Sequence, residues 1–286
     1  MRGIANKTVV PVYGKPDSNT SLTDELLYGM PVTVIKPTTP ILDEWIYIMT
    51  EYRYMGYVKK EDIILEGCNP SYQKWENALK KRVIKAYADV LSESRVQGII
   101  QMGLTSGAII AYCGLVMQEQ AGWAKVMLAD GRFGYVIDGF LEDPRSACNV
   151  SQDRLRQQLV ETAMQYLGTQ YRWGGKSPLG IDCSGLTSIA YLINGILIYR
   201  DAKIVEGFPI HEIAFKDRKP GDLLFFKRHI AMVIDERRYI HATAKMGSNG
   251  VVINSLCPKD KDYREDLAKG ILAVGSVFSS YQEGRK

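Results

Sequence analysis

Residues 171–195 read YRWGGKSPLGIDCSGLTSIAYLING: a glycine-rich loop, a lone cysteine, then an apolar run. Leu186, Ile189, Ala190 and Ile193 recur at helical spacing, which predicts a helix beginning beside Cys183. Cys183 lies between Asp182 and Ser184, and four readings of it are open: a small buried residue, a metal ligand, half of a disulfide, or a nucleophile. A helix start favours the thiolate, but only by about 0.3–1 kcal/mol, or ~2 kcal/mol when partly buried, so it moves a thiol pKa by about one unit at most. Activation needs a basic partner, normally histidine.

The flanks of this stretch set its context. Upstream, residues 151–168 read SQDRLRQQLVETAMQYLG, with Leu155, Leu159, Ala163 and Leu167 at helical spacing and Ser151 as a plausible N-cap. Downstream, KPGD (residues 219–222) introduces four strand-like runs, LLFFK, HIAMVID, RYIHATA and GVVINSL. Helix, loop, helix and antiparallel sheet make an α+β domain. The two strand histidines are His229 and His241; His211, the third in the chain, sits where no chemistry is visible. An odd-length loop between the strands puts His229 and His241 on one face, and a one-residue slip separates them; the sequence leaves the register open. On one face, one imidazole can meet Cys183 and the other can orient the first, as in cysteine and serine hydrolases.

The first half of the chain is strand-like and internally repetitive. Trp45 leads to Gly56-Tyr57-Val58, and Trp123 leads to Gly134-Tyr135-Val136, each followed by acidic residues. Two small β-barrels are expected, over residues 1–72 and 73–146, with the α+β domain over residues 147–286 and a linker at SACNVSQ, residues 146–152. The basic run KKRVIKAY, residues 80–87, reads as a solvated stretch.

Composition narrows the function classes. The 286 residues carry 36 Lys and Arg against 32 Asp and Glu, a net charge of +4, with no clustering that fits nucleic acid. No membrane span is expected, and no apolar leader is visible, so the expected setting is cytoplasmic. Five widely spaced cysteines (Cys68, Cys113, Cys148, Cys183, Cys257) form no CxxC pair, which fits reduced thiols. HExxH is absent too, and no metal or cofactor is called for.

The motifs YRWGGKSPLGIDCSGL, KPGDLLFF, HIAMVID and YIHAT resemble those of the NlpC-type cell-wall cysteine peptidases, a papain-like family. The upstream repeats look like the bacterial SH3-like modules that precede this domain in one subgroup, the γ-D-glutamyl-L-diamino acid endopeptidases. The resemblance implies a multidomain chain, two SH3-like β-barrels followed by an α+β papain-like peptidase. It implies Cys183 as nucleophile, His229 as general base and His241 as the residue orienting it. It also implies that Asp182 and Ser184 help bind the substrate α-amino end, although Asp182 can equally be a helix N-cap. Tyr171 matches a tyrosine near the oxyanion site; Tyr54 would close the far end of the groove and Glu25 would reach that end. The implied partner is a murein stem peptide, L-Ala-γ-D-Glu-diamino acid (diaminopimelate or Lys), met in murein recycling; the oligomeric state is left open. One departure stands out: relatives often carry a serine after RD, where this chain has Ala202. The rival readings are an amidase or acyltransferase on the same Cys-His-His frame, and a non-catalytic wall-binding protein.

Overall fold

The computed structural model describes residues 1–35, 43–117, 121–145, 147 and 150–278; Ser146, Cys148 and Asn149 of the expected linker lie outside the described residues. The chain divides into two compact units, Met1–Arg145 with Arg172–Ile181, and Ser146–Tyr171 with Asp182–Lys286.

The first unit holds two seven-stranded antiparallel sheets. One contains β1 (Arg2–Ala5), β2 (Val9–Tyr13), β3 (Leu22–Leu27), β4 (Pro31–Val34), β5 (Trp45–Thr50), β6 (Met55–Lys59) and β7 (Ile63–Leu65), in the order β3-β2-β6-β5-β4-β1-β7. After α1 (Ser71–Asn77), the other contains β8 (Lys80–Val83), β9 (Tyr87–Leu91), β10 (Ile100–Thr105), β11 (Ile109–Leu115), β12 (Trp123–Met127), β13 (Phe133–Ile137) and β14 (Leu141–Glu142). Its order, β10-β9-β13-β12-β11-β8-β14, is the first order with every strand advanced by seven. The repeat seen in the sequence is therefore a repeat of topology. The expectation of barrels is met in part: both modules are β-rich, but their end strands are not paired with one another among the described residues, so each sheet is open.

The repeated Gly-Tyr-Val has a steric cause. A Cβ on Gly56 would lie 2.4 Å from a Val12 methyl and 2.9 Å from the Tyr13 carbonyl. On Gly134 it would lie 2.5 Å from a Val90 methyl and 2.9 Å from the Leu91 carbonyl. Both positions need a strand to pass flush against its neighbour, which only glycine permits. The modules also differ. Tyr28 packs among Ala88, Leu104, Ile110 and Val126 in the core of the second sheet. Its hydroxyl there accepts from the Ala129 N–H at 2.7 Å. The basic run is more buried than its composition predicts: Lys80 caps α1 by donating to the Trp75, Glu76 and Ala78 carbonyls, and Arg82 is only 9% exposed.

In the second unit, α2 (Gln152–Met164) starts as expected, with Ser151 Oγ accepting from Arg154 N at 3.3 Å. It ends at Met164, one turn early, so Leu167 falls past the helix and is exposed rather than buried. Between the helices, the first unit's inserted segment carries β15 (Lys176–Ser177) and β16 (Gly180–Ile181). Then comes α3 (Cys183–Ile193), packed on α2 and on the sheet strands β19 and β20. The sheet comprises β17 (His211–Ile213), β18 (Leu223–Phe226), β19 (His229–Val233), β20 (Arg238–Thr243), β21 (Gly250–Ser255) and β22 (Ala273–Ser276); α4 (Glu265–Ala268) precedes β22. The strand order is β17-β22-β18-β19-β20-β21. The four strands expected after KPGD are present; β17 and β22 extend the sheet beyond them, and β17 carries the exposed His211.

KPGD is the knot of this unit. Asp222 is fully buried and accepts from Lys219 N at 2.8 Å, Ser276 Oγ at 2.7 Å and Arg156 Nη1 at 3.0 Å. Tyr191 on α3 donates to the Gly221 carbonyl, so both helices and the sheet meet at one turn. Removing one member of such a buried pair strands the other charge. Asp222→Ala is expected to destabilise the protein by about 3–5 kcal/mol, read as a lowered urea midpoint.

Candidate active site

Cys183 is the first residue of α3 and is 7% exposed. Its helix start is built by Asp182, the N-cap, whose Oδ1 accepts from Gly185 N at 2.6 Å. Arg200, 1% exposed, grips the same carboxylate in a fork, Nη1 to Oδ1 at 3.0 Å and Nη2 to Oδ2 at 3.1 Å. Ser184 Oγ closes the cluster, donating to Asp182 Oδ1 at 3.2 Å and accepting from Arg200 Nη1 at 2.7 Å. A planar guanidinium on a planar carboxylate fixes both groups.

The Cys183 sulfur receives the backbone N–H groups of Ile230 and Ser184. Ile230 directly follows His229, so the thiol meets the beginning of strand β19. Burial, and then the Asp182 charge, push the thiol up to about 11, while those N–H groups and Arg200 pull it down. The thiol is therefore protonated in the resting protein. Tyr171 is beside it: burial, then the Cys183 and Asp182 charges, raise its phenol.

The register left open by the sequence is resolved by the odd loop. Val233 pairs with Tyr239 and Met232 with Ile240, which puts His229 and His241 on the same face as diagonal neighbours. Their rings stand edge to face, with His229 Nε2 2.7 Å from His241 Nδ1. Phe226 lies 5.6 Å from the His229 ring, and Tyr239 5.2 Å from the His241 ring. Burial depresses both imidazoles, His229 to about 3 and His241 to about 4. The neighbouring His241 and then Arg264 press further on His229, and Arg264 on His241. Both rings are thus neutral at rest.

Glu25 and Tyr54 belong to the other unit. Glu25, 2% exposed, accepts from Lys176 N at 2.8 Å and from Arg172 Nη1 at 3.5 Å, and its burial raises its carboxyl. Tyr54 is half-buried where the β5–β6 hairpin closes, with its N–H donating to Thr50 Oγ1 at 3.0 Å. The buried tyrosine of that hairpin is Tyr52. Its hydroxyl donates to Asp24 Oδ2 at 2.6 Å and bonds the Lys176 ammonium, which pairs with Asp24 Oδ1 at 2.9 Å and lies 4.1 Å from the Tyr52 ring centre.

Sequence reasoning missed this Asp24–Tyr52–Lys176 cluster, and also Arg200 and Asn254. The last accepts from His241 Nε2 at 2.8 Å through its Oδ1. A signal existed for two of them: Arg200 is a charge amid apolar residues in ILIYR, and Asn254 a lone amide in VVINSL. The four described cysteines Cys68, Cys113, Cys183 and Cys257 are free thiols. No helix among the described residues is long and apolar enough to cross a membrane.

Residues 168–263 match the model of the NlpC/P60 family. Over 280 residues, 97% of this chain and 100% of the relative, it is 40% identical to dipeptidyl-peptidase 6 of Lysinibacillus sphaericus. The chain belongs to the NlpC/P60 family. It is also 33% identical, over 89% of its length and 81% of the relative's, to the gamma-D-glutamyl-L-lysine dipeptidyl-peptidase of Bacillus subtilis (strain 168). Its fold matches a solved NlpC/P60 family protein from Bacillus cereus ATCC 10987 with a TM-score of 0.74, over 96% of this chain and 98% of that one, at 17% identity. This NlpC/P60 protein is accordingly a cysteine peptidase of a peptidoglycan-related family, with a papain-like unit and a β-rich N-terminal region.

Burial of the neutral imidazoles makes stability depend on pH with a definite sign. Their folded values lie below the ordinary 6.5, so the unfolded chain binds more protons between about pH 6.5 and about 3. The stability they contribute is complete above pH 6.5 and falls as the pH drops through that window. Urea midpoints measured from pH 7 to pH 4 should fall less steeply in His241→Gln than in the unsubstituted protein.

Proposed function

We propose that this protein is an endopeptidase that hydrolyses the bond between γ-D-Glu and a diamino acid, meso-diaminopimelate or Lys, in murein stem peptides with a free N-terminal L-Ala. The observation that carries this reading is the thiol at the start of α3, held by the Ile230 N–H of β19, the strand that also carries His229, whose ring meets His241 edge to face. The two relatives named dipeptidyl-peptidases, matched along most of the chain, support the substrate class.

In this mechanism the resting pair is a neutral thiol and a neutral imidazole, so the proton moves within the pair as the bond forms. Cys183 Sγ attacks the γ-carbonyl carbon of D-Glu while its proton passes to His229. The tetrahedral oxyanion is met by N–H groups at the start of α3, that of Cys183 among them, and by Tyr171; one such donor is typically worth about 10²–10³ in rate. The C–N bond then breaks, and His229 returns the proton to the departing amine. Water attacks the thioester with His229 as base and releases L-Ala-γ-D-Glu and the free enzyme. His241 holds the His229 ring in place.

By the family resemblance, Asp182 and Ser184 receive the α-ammonium of L-Ala, and Tyr54 and Glu25 take part in reading that end of the substrate. Arg200 already takes part of the Asp182 charge, so this recognition draws on several groups rather than on one carboxylate. The paired β modules, read as SH3-like, belong to the same proposal, as do the domain limits 1–72, 73–146 and 147–286. So does a cytoplasmic role in recycling wall peptides, which the free thiols favour.

Incubation with L-Ala-γ-D-Glu-meso-diaminopimelate should release L-Ala-γ-D-Glu, detected by mass spectrometry, and Cys183→Ala should lower the rate by at least ~10³-fold. Equal release by that variant rules out the thiol mechanism. Acetylation of the L-Ala nitrogen removes a charge-assisted contact worth about 1.5–3 kcal/mol, so kcat/KM should drop about 10–100-fold. An unchanged kcat/KM removes Asp182, Ser184, Tyr54 and Glu25 from amine recognition.

A further inference from the structure

Asn254 stands on β21 opposite Tyr239, diagonal to His241, which pairs with Val252. Its amide has one orientation. Nδ2 donates to the Asp262 carbonyl at 2.7 Å, and the same carbonyl accepts from Ser255 N at 3.1 Å, which ties the loop after β21 back to the strand. Oδ1 is therefore the atom that faces His241 Nε2 at 2.8 Å. An amide oxygen only accepts, so His241 carries its proton on Nε2. A neutral imidazole has a single N–H, which leaves His241 Nδ1 as a lone pair. The 2.7 Å contact from His229 Nε2 to that atom is then a hydrogen bond in which His229 donates. His229 in turn keeps its lone pair on Nδ1.

We infer that Asn254 is a positioning residue that sets the tautomers of His241 and His229, so that His229 presents an unprotonated Nδ1 as the base. The last step rests on the proposed role of His229; the tautomers stand on the hydrogen bonds alone. The neutrality of both rings, imposed by burial and by Arg264, keeps this alternation of donors and acceptors single-valued.

The chain also explains why an amide suits this position. When His229 takes the thiol proton on Nδ1, it becomes an imidazolium whose Nε2–H still points at the His241 lone pair. His241 Nε2–H still points at the Asn254 carbonyl, and Asn254 at Asp262. Every dipole in the row has its negative end toward the new charge, and no proton need move beyond His229. A carboxylate at 254 would hold the same rings but would also favour a charged His241, drawing the proton away from the ring that must return it to the leaving amine.

The test is a long-range proton–nitrogen correlation spectrum of the full chain with ¹⁵N-labelled histidine, near pH 7. His211→Gln and His241→Gln assign the three rings. Pyrrole-type nitrogen at Nε2 and pyridine-type nitrogen at Nδ1 are expected for both His229 and His241. In Asn254→Leu, His241 should show mixed tautomers, and kcat on the stem peptide should fall about 10–100-fold with KM within about twofold. That is less than the ~10⁴ of a directly mis-tautomerised catalytic histidine, since one ring intervenes. Asn254→Asp should restore the tautomers and shift the acid limb of the kcat profile upward. Protonation of His241 or His229 on Nδ1 in the unsubstituted protein overturns the inference, as does an Asn254→Leu protein with unchanged spectrum and kcat. If Cys183→Ala stays active, the proposed chemistry fails instead, and the spectra still decide the tautomers.

Discussion

The Asp182 carboxylate fixes where the papain-like unit puts its thiol. It ends the extended segment before α3, caps the helix through Gly185, and is clamped by a buried guanidinium whose own desolvation demands a partner. Cap and ion pair share one carboxylate, the cap on Oδ1 and the fork on both oxygens, so the helix cannot start one residue earlier or later without stranding Arg200. Cys183 is thereby held at the first helical position, where its sulfur meets the Ile230 N–H. The acid beside the nucleophile opposes thiolate formation and still belongs there, because positional certainty outweighs the electrostatic handicap.

Burial is the common cause of the site's electrostatics. It raises the thiol, lowers both imidazoles and raises the Tyr171 phenol, so these four groups rest neutral beside the Asp182–Arg200 ion pair. A buried centre responds strongly to any charge created inside it, since little solvent screens the field of the helix start and its N–H groups. The same burial sets the acid limit of the fold.

Much of this was legible in the sequence. Period 3.6 in GLTSIAYLI, alternating strands after KPGD and the doubled Trp…Gly-Tyr-Val pattern each follow from local geometry, and local geometry is what periodicity records. The cysteine and its two histidines were legible because few side chains of that chemistry exist in the chain. What remained hidden depends on pairs distant in sequence. His229 and His241 share a face because of a loop parity that no residue type announces. Arg200 meets Asp182 and Lys176 meets Asp24 only after folding, and a buried ion pair looks in sequence like two surface charges. Leu167 misled for the opposite reason: its spacing fits the helix, but the helix stops at Met164, and spacing does not record where backbone bonding ends. The basic run from Lys80 misled because its charges spend themselves on carbonyls and an acid rather than on water.

The two β modules share a strand order and the glycine that lets strands pass flush, yet Tyr28 crosses from the first into the second. The corresponding place in the second copy, Ser106, offers no such side chain in return. The duplication has thus become unequal, with a donor and a recipient. A recipient module severed from its donor would carry a tyrosine-sized hollow and an unmet Ala129 N–H, so the pair can be transplanted between proteins together but not one at a time.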